Sequence, residues 1–273
     1  MNPAQSWGRL LTDLAIPDRI LAAAPTSPYG FGVRLFDRLA REAMTKETPS
    51  RARAREALPA GGTVVDVGCG GGAASLSLGP RLGTAIGVDQ QEDMLAAFAA
   101  RASELGVAHH EVLGGWPDVA DATPDADVVA CHHVFYNVQD LGPFVQALTS
   151  HARSRVVVEM TGEHPLAWLG PLWRRFHDLD HPSGPTVGDA IAALRWIGLD
   201  VAVELWDEPS PWRDFADELV PLIRTRLCLP ASRDPDIQRA LKELELPPDR
   251  RQLATLWWPS GQGSARMRAE PWP

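Results

Sequence analysis

Val64-Val65-Asp66-Val67-Gly68-Cys69-Gly70-Gly71-Gly72 is the stretch on which the fold turns. A short apolar run, of the length and branching that suit a buried strand, ends in a turn dense with glycine. The next residues, Ala73-Ala74-Ser75-Leu76-Ser77-Leu78, open a helix. Glycine lets the main chain take positive φ and lets a ligand approach without meeting Cβ atoms. The first turn of the helix behind it offers N–H groups with no partner inside the helix. In open α/β sheets, ligands bind at such loops, beyond the carboxyl ends of the strands. Asp66 sharpens the expectation. An unpaired polar group buried in an apolar strand costs about 2–7 kcal/mol, so this acid is expected either to hold the loop through its amides or to meet a cationic ligand group.

Outward from this stretch, strands and helices alternate. TVVDVG (63–68) is followed by a helix over 71–78, and TAIGVD (84–89) by a helix whose Met94, Leu95, Phe98, Ala99 and Ala102 share one face. HHEVL (109–113), ADVVAC (126–131) and RVVVEM (155–160) are further strands. Between the last two, Asp140 is placed to cap a helix with Leu141, Phe144, Val145 and Leu148 at helical spacing. A helix over 187–197, the strand VAVELW (201–206), helices over 212–227 and 234–244, and the strand QLATLWW (252–258) complete the pattern. This rhythm implies βαβ units and right-handed crossovers. The expected fold is α/β: a doubly wound, seven-stranded, mostly parallel sheet. Residues 1–58 are read as an N-terminal helical cap, with Leu35, Leu39 and Met44 at loose helical spacing and a turn at SPYGFG (27–32). Residues 59–273 are read as the core, with a helical insertion over about 208–250 and a loose tail to Pro273.

Composition narrows the partners. Of 273 residues, 45% are hydrophobic and 22% charged, the profile of a globular chain. A net charge of −9 argues against a partner whose phosphates must be neutralised over a broad face. Small molecules are the expected substrates, and nucleic acid is not. Cys69, Cys131 and Cys228 lack CxxC spacing, which excludes a zinc framework of that kind and suits a reducing compartment. With no signal-like N-terminus and no run of 18 apolar residues, a cytoplasmic protein without membrane association is expected. Ten tryptophans stand against two tyrosines. They are expected to pack cores, the alternative being that some line an apolar substrate pocket.

The glycine stretch resembles motif I of class I S-adenosylmethionine-dependent methyltransferases, an acid followed by GxGxG after the first strand. Asp66, Gly68, Gly70 and Gly72 occupy its four positions, with Cys69 inside the same loop. The resemblance continues at Asp89, the tip of the second strand, where the family's acid bonds both ribose hydroxyls. Gln90 and Met94 would then flank the adenosine. After the third strand, Gly115 stands where the family usually places an acid against the adenine, so that contact would fall to backbone groups, to stacking by Trp116 and to Asp118. Cys131-His132-His133-Val134 resembles the segment that faces the methionine part and the acceptor. The resemblance covers about residues 60–160 and implies S-adenosyl-L-methionine as cofactor.

Two other functions fit parts of the pattern. Gly68, Gly70 and Ala73 also satisfy GxGxxA, so a nicotinamide-dependent oxidoreductase is an alternative, although neither Tyr29 nor Tyr136 has a lysine at Tyr-xxx-Lys spacing. A non-catalytic protein that only keeps the cofactor would look the same. For methyl transfer, His132 and His133 are the candidate general bases, since neutral imidazole suits the task. They favour oxygen as acceptor atom. Glu159 and Glu163 are candidates for the acceptor pocket, and Cys69 has no partner for nucleophilic chemistry. His177-Asp178-Leu179-Asp180-His181 has ligand-like spacing, but Pro182 ends any helix there and no metal is assigned. ACHHVFYN after the fourth strand lacks the Asn/Asp-Pro-Pro-aromatic motif of enzymes that methylate DNA amino groups.

Overall fold

The computed structural model describes residues 1–29, 38, 40–212 and 216–261. Residues 30–32 of the expected SPYGFG turn, Leu35, Leu39 and the tail lie outside the described residues. The strands are β1 (Gly62–Val67), β2 (Leu82–Asp89), β3 (Ala108–Leu113), β4 (Ala126–His132), β5 (Ala152–Thr161), β6 (Ala202–Pro209) and β7 (Arg250–Pro259). The helices used below are α1 (Pro3–Asp13), α2 (Asp18–Leu21), α3 (Pro49–Ala57), α4 (Ala73–Leu76), α5 (Glu92–Glu104), α6 (Leu141–His151), α7 (Gly170–His177), α8 (Val187–Ile197), α9 (Ala216–Arg226) and α10 (Asp234–Glu243).

All seven strands join one sheet in the order β3-β2-β1-β4-β5-β7-β6. The first five run parallel, and β7 lies antiparallel between β5 and β6. The expected doubly wound, mostly parallel sheet is therefore present. Central strands are covered on both faces, which is why valines stand on both faces of β1 (GTVVDV). Val65, Val67, Val129, Cys131, Val156 and Val158 pack one face together with Trp7 of α1 and residues of α6 and α8. Val64, Ala85, Val128, Ala130 and Val157 pack the other with residues of α3, α4 and α5.

Local chemistry sets the helix ends. Asn2 and Gln5 form a capping box at α1, Thr186 and Asp189 another at α8, and Asp140 caps α6 by accepting from the Gly142 amide at 3.1 Å. The helix expected over 71–78 is shorter than its composition suggests. α4 is a single turn, and a 3₁₀ turn at Gly79–Arg81 follows it, where Gly79 has φ of +68°.

A third apolar cluster stands apart from the sheet. It joins Ile20 of α2, Leu172 and Trp173 of α7, Ile223 of α9 and Ile237 of α10. Its main insertion leaves at Pro209 and returns at Arg250, which are register partners at the same sheet edge where β5 ends in Thr161. That edge is the carboxyl end of the parallel strands. α7 was not foreseen in the sequence, although Leu169, Leu172, Trp173 and Phe176 repeat at helical spacing. Tryptophans 168, 173 and 212 fill this cluster, and 7, 257 and 258 pack the sheet. Trp196 is exposed. No helix among the described residues is long and apolar enough to cross a membrane.

Candidate active site

The glycine loop closes the carboxyl end of β1. Gly68, Gly70 and Gly72 take φ of +70°, +49° and +81°, the left-handed region that favours glycine. A Cβ on Gly68 would lie 2.4 Å from Val134 Cγ2, so the loop and the segment after β4 meet with no room for a side chain. The Gly68 and Cys69 amides both donate to the Val88 carbonyl, at 2.8 and 3.1 Å, which ties the loop to β2.

Two carboxylates hold this wall. Asp66 is buried, and its Oδ2 accepts from the Ser75 amide at 3.1 Å and from the Ser75 hydroxyl at 2.7 Å. It therefore braces the start of α4 beneath the loop. Burial pushes its carboxyl up to about 7; the Ser75 bonds oppose the shift and the nearby Asp89 charge adds to it. Asp89 is half-buried and bridges two backbone segments. Its Oδ2 accepts from the Gly70 amide and its Oδ1 from the Gln91 amide, each at 3.0 Å. A carboxylate has about four acceptor positions, so each oxygen keeps one for a ligand.

The opposite wall is built at the ends of β4 and β5. His133 has φ of +59°, unusual for a residue with a side chain. Its amide donates to the Glu159 carbonyl at 2.8 Å, and its Nε2 lies 3.2 Å from Glu159 Oε1. His132 pairs with Glu159 in register, and Glu159 with Thr255 of β7, so the three occupy one row on the α3 face of the sheet. Burial would push the Glu159 carboxyl up, but the charges of His132 and His133, the His133 bond and the Ser50 hydroxyl outweigh it and hold the group down at about 2. Burial pushes His132 down against the pull of Glu159, so the carboxylate is the charged member of the pair at neutral pH.

Comparison with known proteins agrees with this geometry. Residues 64–154 match a methyltransferase domain family. The chain carries a class I S-adenosylmethionine-dependent methyltransferase domain. The domain is similar to the ubiquinone biosynthesis O-methyltransferases of Methylococcus capsulatus and Aeromonas salmonicida. The first is 37% identical over 97 residues, covering 34% of this chain and 40% of that protein. The second is 30% identical over 112 residues, covering 40% and 47%. The matched stretch thus spans less than half of either relative. In fold, the chain is similar to the YcgJ protein of Bacillus subtilis, with a TM-score of 0.53 at 17% identity over 81% of this chain and 98% of that one.

Within the methyltransferase domain, the residues expected at the cofactor sort into two groups. Asp66, Gly68, Gly70, Gly72 and Asp89 converge on the loop, and exposed Gln90 and buried Met94 begin the turn after β2. At Gly115 a Cβ would meet nothing within 4 Å, so the main chain there is open to a ligand. Trp116 and Cys131 stand apart from these. The Trp116 indole donates to the Phe144 carbonyl at 3.2 Å and packs edge-on against His151 with ring centroids 5.0 Å apart. Its indole nitrogen is turned toward α6, and the ring is half-buried. Cys131 is fully buried in the core on the α6 face, because alternate residues of β4 point to opposite faces. Contact by Cys131 with a ligand would run through the main chain. The Cys69 thiol is buried and pushed well up by that burial and by Asp66 and Asp89, which leaves it unreactive.

Elsewhere, Glu163 is exposed on the strand exit. His177 Nε2 lies 2.7 Å from the Leu227 carbonyl and the His181 ring stacks on Trp173 at 5.1 Å, so these two rings serve the cap. No group of three metal-ligating side chains converges among the described residues. A concavity of about 660 Å³ bounded by Leu219, Leu241 and Leu246 lies in the cap and includes none of the loop residues. Ser50 and Thr255 were not foreseen at the site. They are separated by 205 residues along the chain, and no local motif marks either one.

Proposed function

We propose that this protein transfers the methyl group of S-adenosylmethionine to a hydroxyl oxygen of a small-molecule acceptor. One observation carries the proposal. Asp89 offers one acceptor position on each carboxylate oxygen, a match for a ribose diol, and the main chain at Gly115 is open to a ligand. Gly68, Gly70 and Gly115 would line the floor, Asp89 would hold the ribose, and Gln90 and Met94 would flank the adenosine. When bound, the sulfonium supplies a methyl carbon whose bonding pair stays on sulfur. The chain's part is then alignment, which accounts for about 7–11 kcal/mol of barrier reduction in well-oriented systems.

Oxygen is supported by the names of the two relatives and by the histidines at the end of β4. The acidic net charge favours a small molecule over nucleic acid. The cluster of α2, α7, α9 and α10 emerges at the carboxyl edge of the sheet, where the N-terminal segment and the insertion would wall the acceptor.

Isothermal titration with S-adenosylhomocysteine and with NADH tests the cofactor. Micromolar binding of the first and none of the second is expected, and the reverse would overturn the proposal. Incubation with labelled methyl donor and a fractionated metabolite extract then identifies the acceptor. Label confined to carbon or nitrogen would remove the oxygen assignment.

A further inference from the structure

The geometry points to Nδ1 of His133 as the atom that takes the acceptor's proton, and to Glu159, with Ser50 acting on it, as the positioning residues that fix this tautomer. The inference rests on the proposed transfer to a hydroxyl.

Groups that can only donate or only accept fix the direction of the contacts they make. Glu159 is ionised and therefore only accepts. The Ser50 hydroxyl acts on Glu159 only by helping to hold its carboxyl down. The Ser50 and Thr255 hydroxyl oxygens lie 2.7 Å apart, both residues being fully buried. Either hydroxyl can donate in that bond. Thr255 in turn accepts at 3.1 Å from Trp206 Nε1, an indole nitrogen that can only donate. Contacts thus join Trp206 of β6, Thr255 of β7 and Ser50 of α3 beside the carboxylate on β5. From the other side, Nε2 of His133 faces Glu159 Oε1 at 3.2 Å. A carboxylate cannot donate, so Nε2 carries the hydrogen, and in the neutral ring Nδ1 is left with a bare lone pair.

Position agrees with the role. The His133 side chain is 34% exposed, and its neighbour Val134 lies against Gly68 on the floor of the crevice. The left-handed backbone of His133 costs of order 1–3 kcal/mol and persists where surroundings over-determine it. Here its amide is pinned to the Glu159 carbonyl. In the reaction, the hydroxyl proton moves to Nδ1. The O–H electron pair stays on oxygen and becomes the bond to the methyl carbon. The positive charge arrives on the imidazole opposite Glu159. His132, from β4, and Glu159, from β5, are the titratable neighbours in this group, with the Ser50 hydroxyl acting on Glu159 from α3.

The test reads the tautomer directly in protein free of cofactor. Two-bond ¹H–¹⁵N spectra at alkaline pH are expected to show His133 protonated at Nε2 and bare at Nδ1, the signal being assigned by its loss in His133→Asn. Glu159→Gln, whose amide can donate as well as accept, is expected to lose this preference. Ser50→Ala is expected to weaken it. Neither variant is expected to change S-adenosylhomocysteine affinity by titration, which also shows that each has folded. A wild-type His133 carrying its proton on Nδ1, with S-adenosylhomocysteine still bound, defeats this inference alone. A wild type that binds no S-adenosylhomocysteine defeats the methyl-transfer reading and the role of His133 with it.

Discussion

The two walls of the crevice are built in opposite ways. The glycine wall is nearly continuous in sequence, and its longest side-chain bond, Asp89 to the Gly70 amide, spans 19 residues. The histidine wall gathers β4, β5, α3, β7 and β6, with one contact spanning 205 residues. Each wall contains a buried carboxylate, and the two are shifted in opposite directions. Asp66 has only the neutral Ser75 as donor and a negative neighbour, and it rises to about 7. Glu159 faces two imidazoles and a hydroxyl and stays near 2. Burial alone therefore does not set the charge of an acid; the company it keeps does. The first wall is suited to holding a ligand with main chain and a diol acceptor, the second to moving a proton.

That division of labour can be broken most sharply at His133. His133→Asn suits the left-handed backbone and is expected to lower labelled-methyl turnover by about 10²–10⁴-fold, with S-adenosylhomocysteine affinity unchanged by titration. A loss of affinity instead would mean that the histidine wall also binds. Asp89→Ala is the converse case. Its S-adenosylhomocysteine affinity is expected to fall by an order of magnitude or more, about 1.4 kcal/mol per tenfold, with turnover retained at saturating donor. Unchanged affinity would place the ribose elsewhere.

Asp66→Asn sharpens the contrast between the carboxylates. The folded value of Asp66, about 7, lies above its ordinary 3.8, so the folded chain keeps a proton that the unfolded chain releases. The stabilisation this provides is complete below about 3.8 and is lost as pH rises to about 7. Asn does not titrate. The melting midpoint of the variant should therefore gain on the wild type as pH rises through that window and level off above it; a constant difference would show Asp66 to be ionised throughout. The smallest effect is expected at Trp116→Phe. Losing the bond to the Phe144 carbonyl should cost about 0.5–1.5 kcal/mol of stability by denaturant titration, with no change in S-adenosylhomocysteine affinity.

Much of the glycine wall was legible in the residues themselves. Positive φ at Gly68, Gly70 and Gly72, the acid in β1 and the acid at the tip of β2 depend on local backbone rules, and the alternation of strand and helix is enough to order them along a parallel sheet. Trp116 and Cys131 were not legible in the same way. Whether a side chain at a strand end faces the ligand or the opposite layer depends on register and on the helix packed above it, here α6. The cap was half legible: the insertion after β6 could be read, while the share of α7 and α2 in its core could not.

The sequence by itself determined the sheet and the loop at the end of β1, because those follow from residues close enough in the chain to constrain one another's dihedrals and faces; the class of cofactor was implied by the resemblance of that loop to motif I. Only the tertiary structure decided which histidine meets a carboxylate. Ser50, Glu159, Thr255 and Trp206 carry no shared local pattern, and they come together only when α3 settles on the sheet and β7 inserts between β5 and β6. A hydrogen bond between distant residues is a consequence of packing, and packing is what a linear pattern encodes least directly.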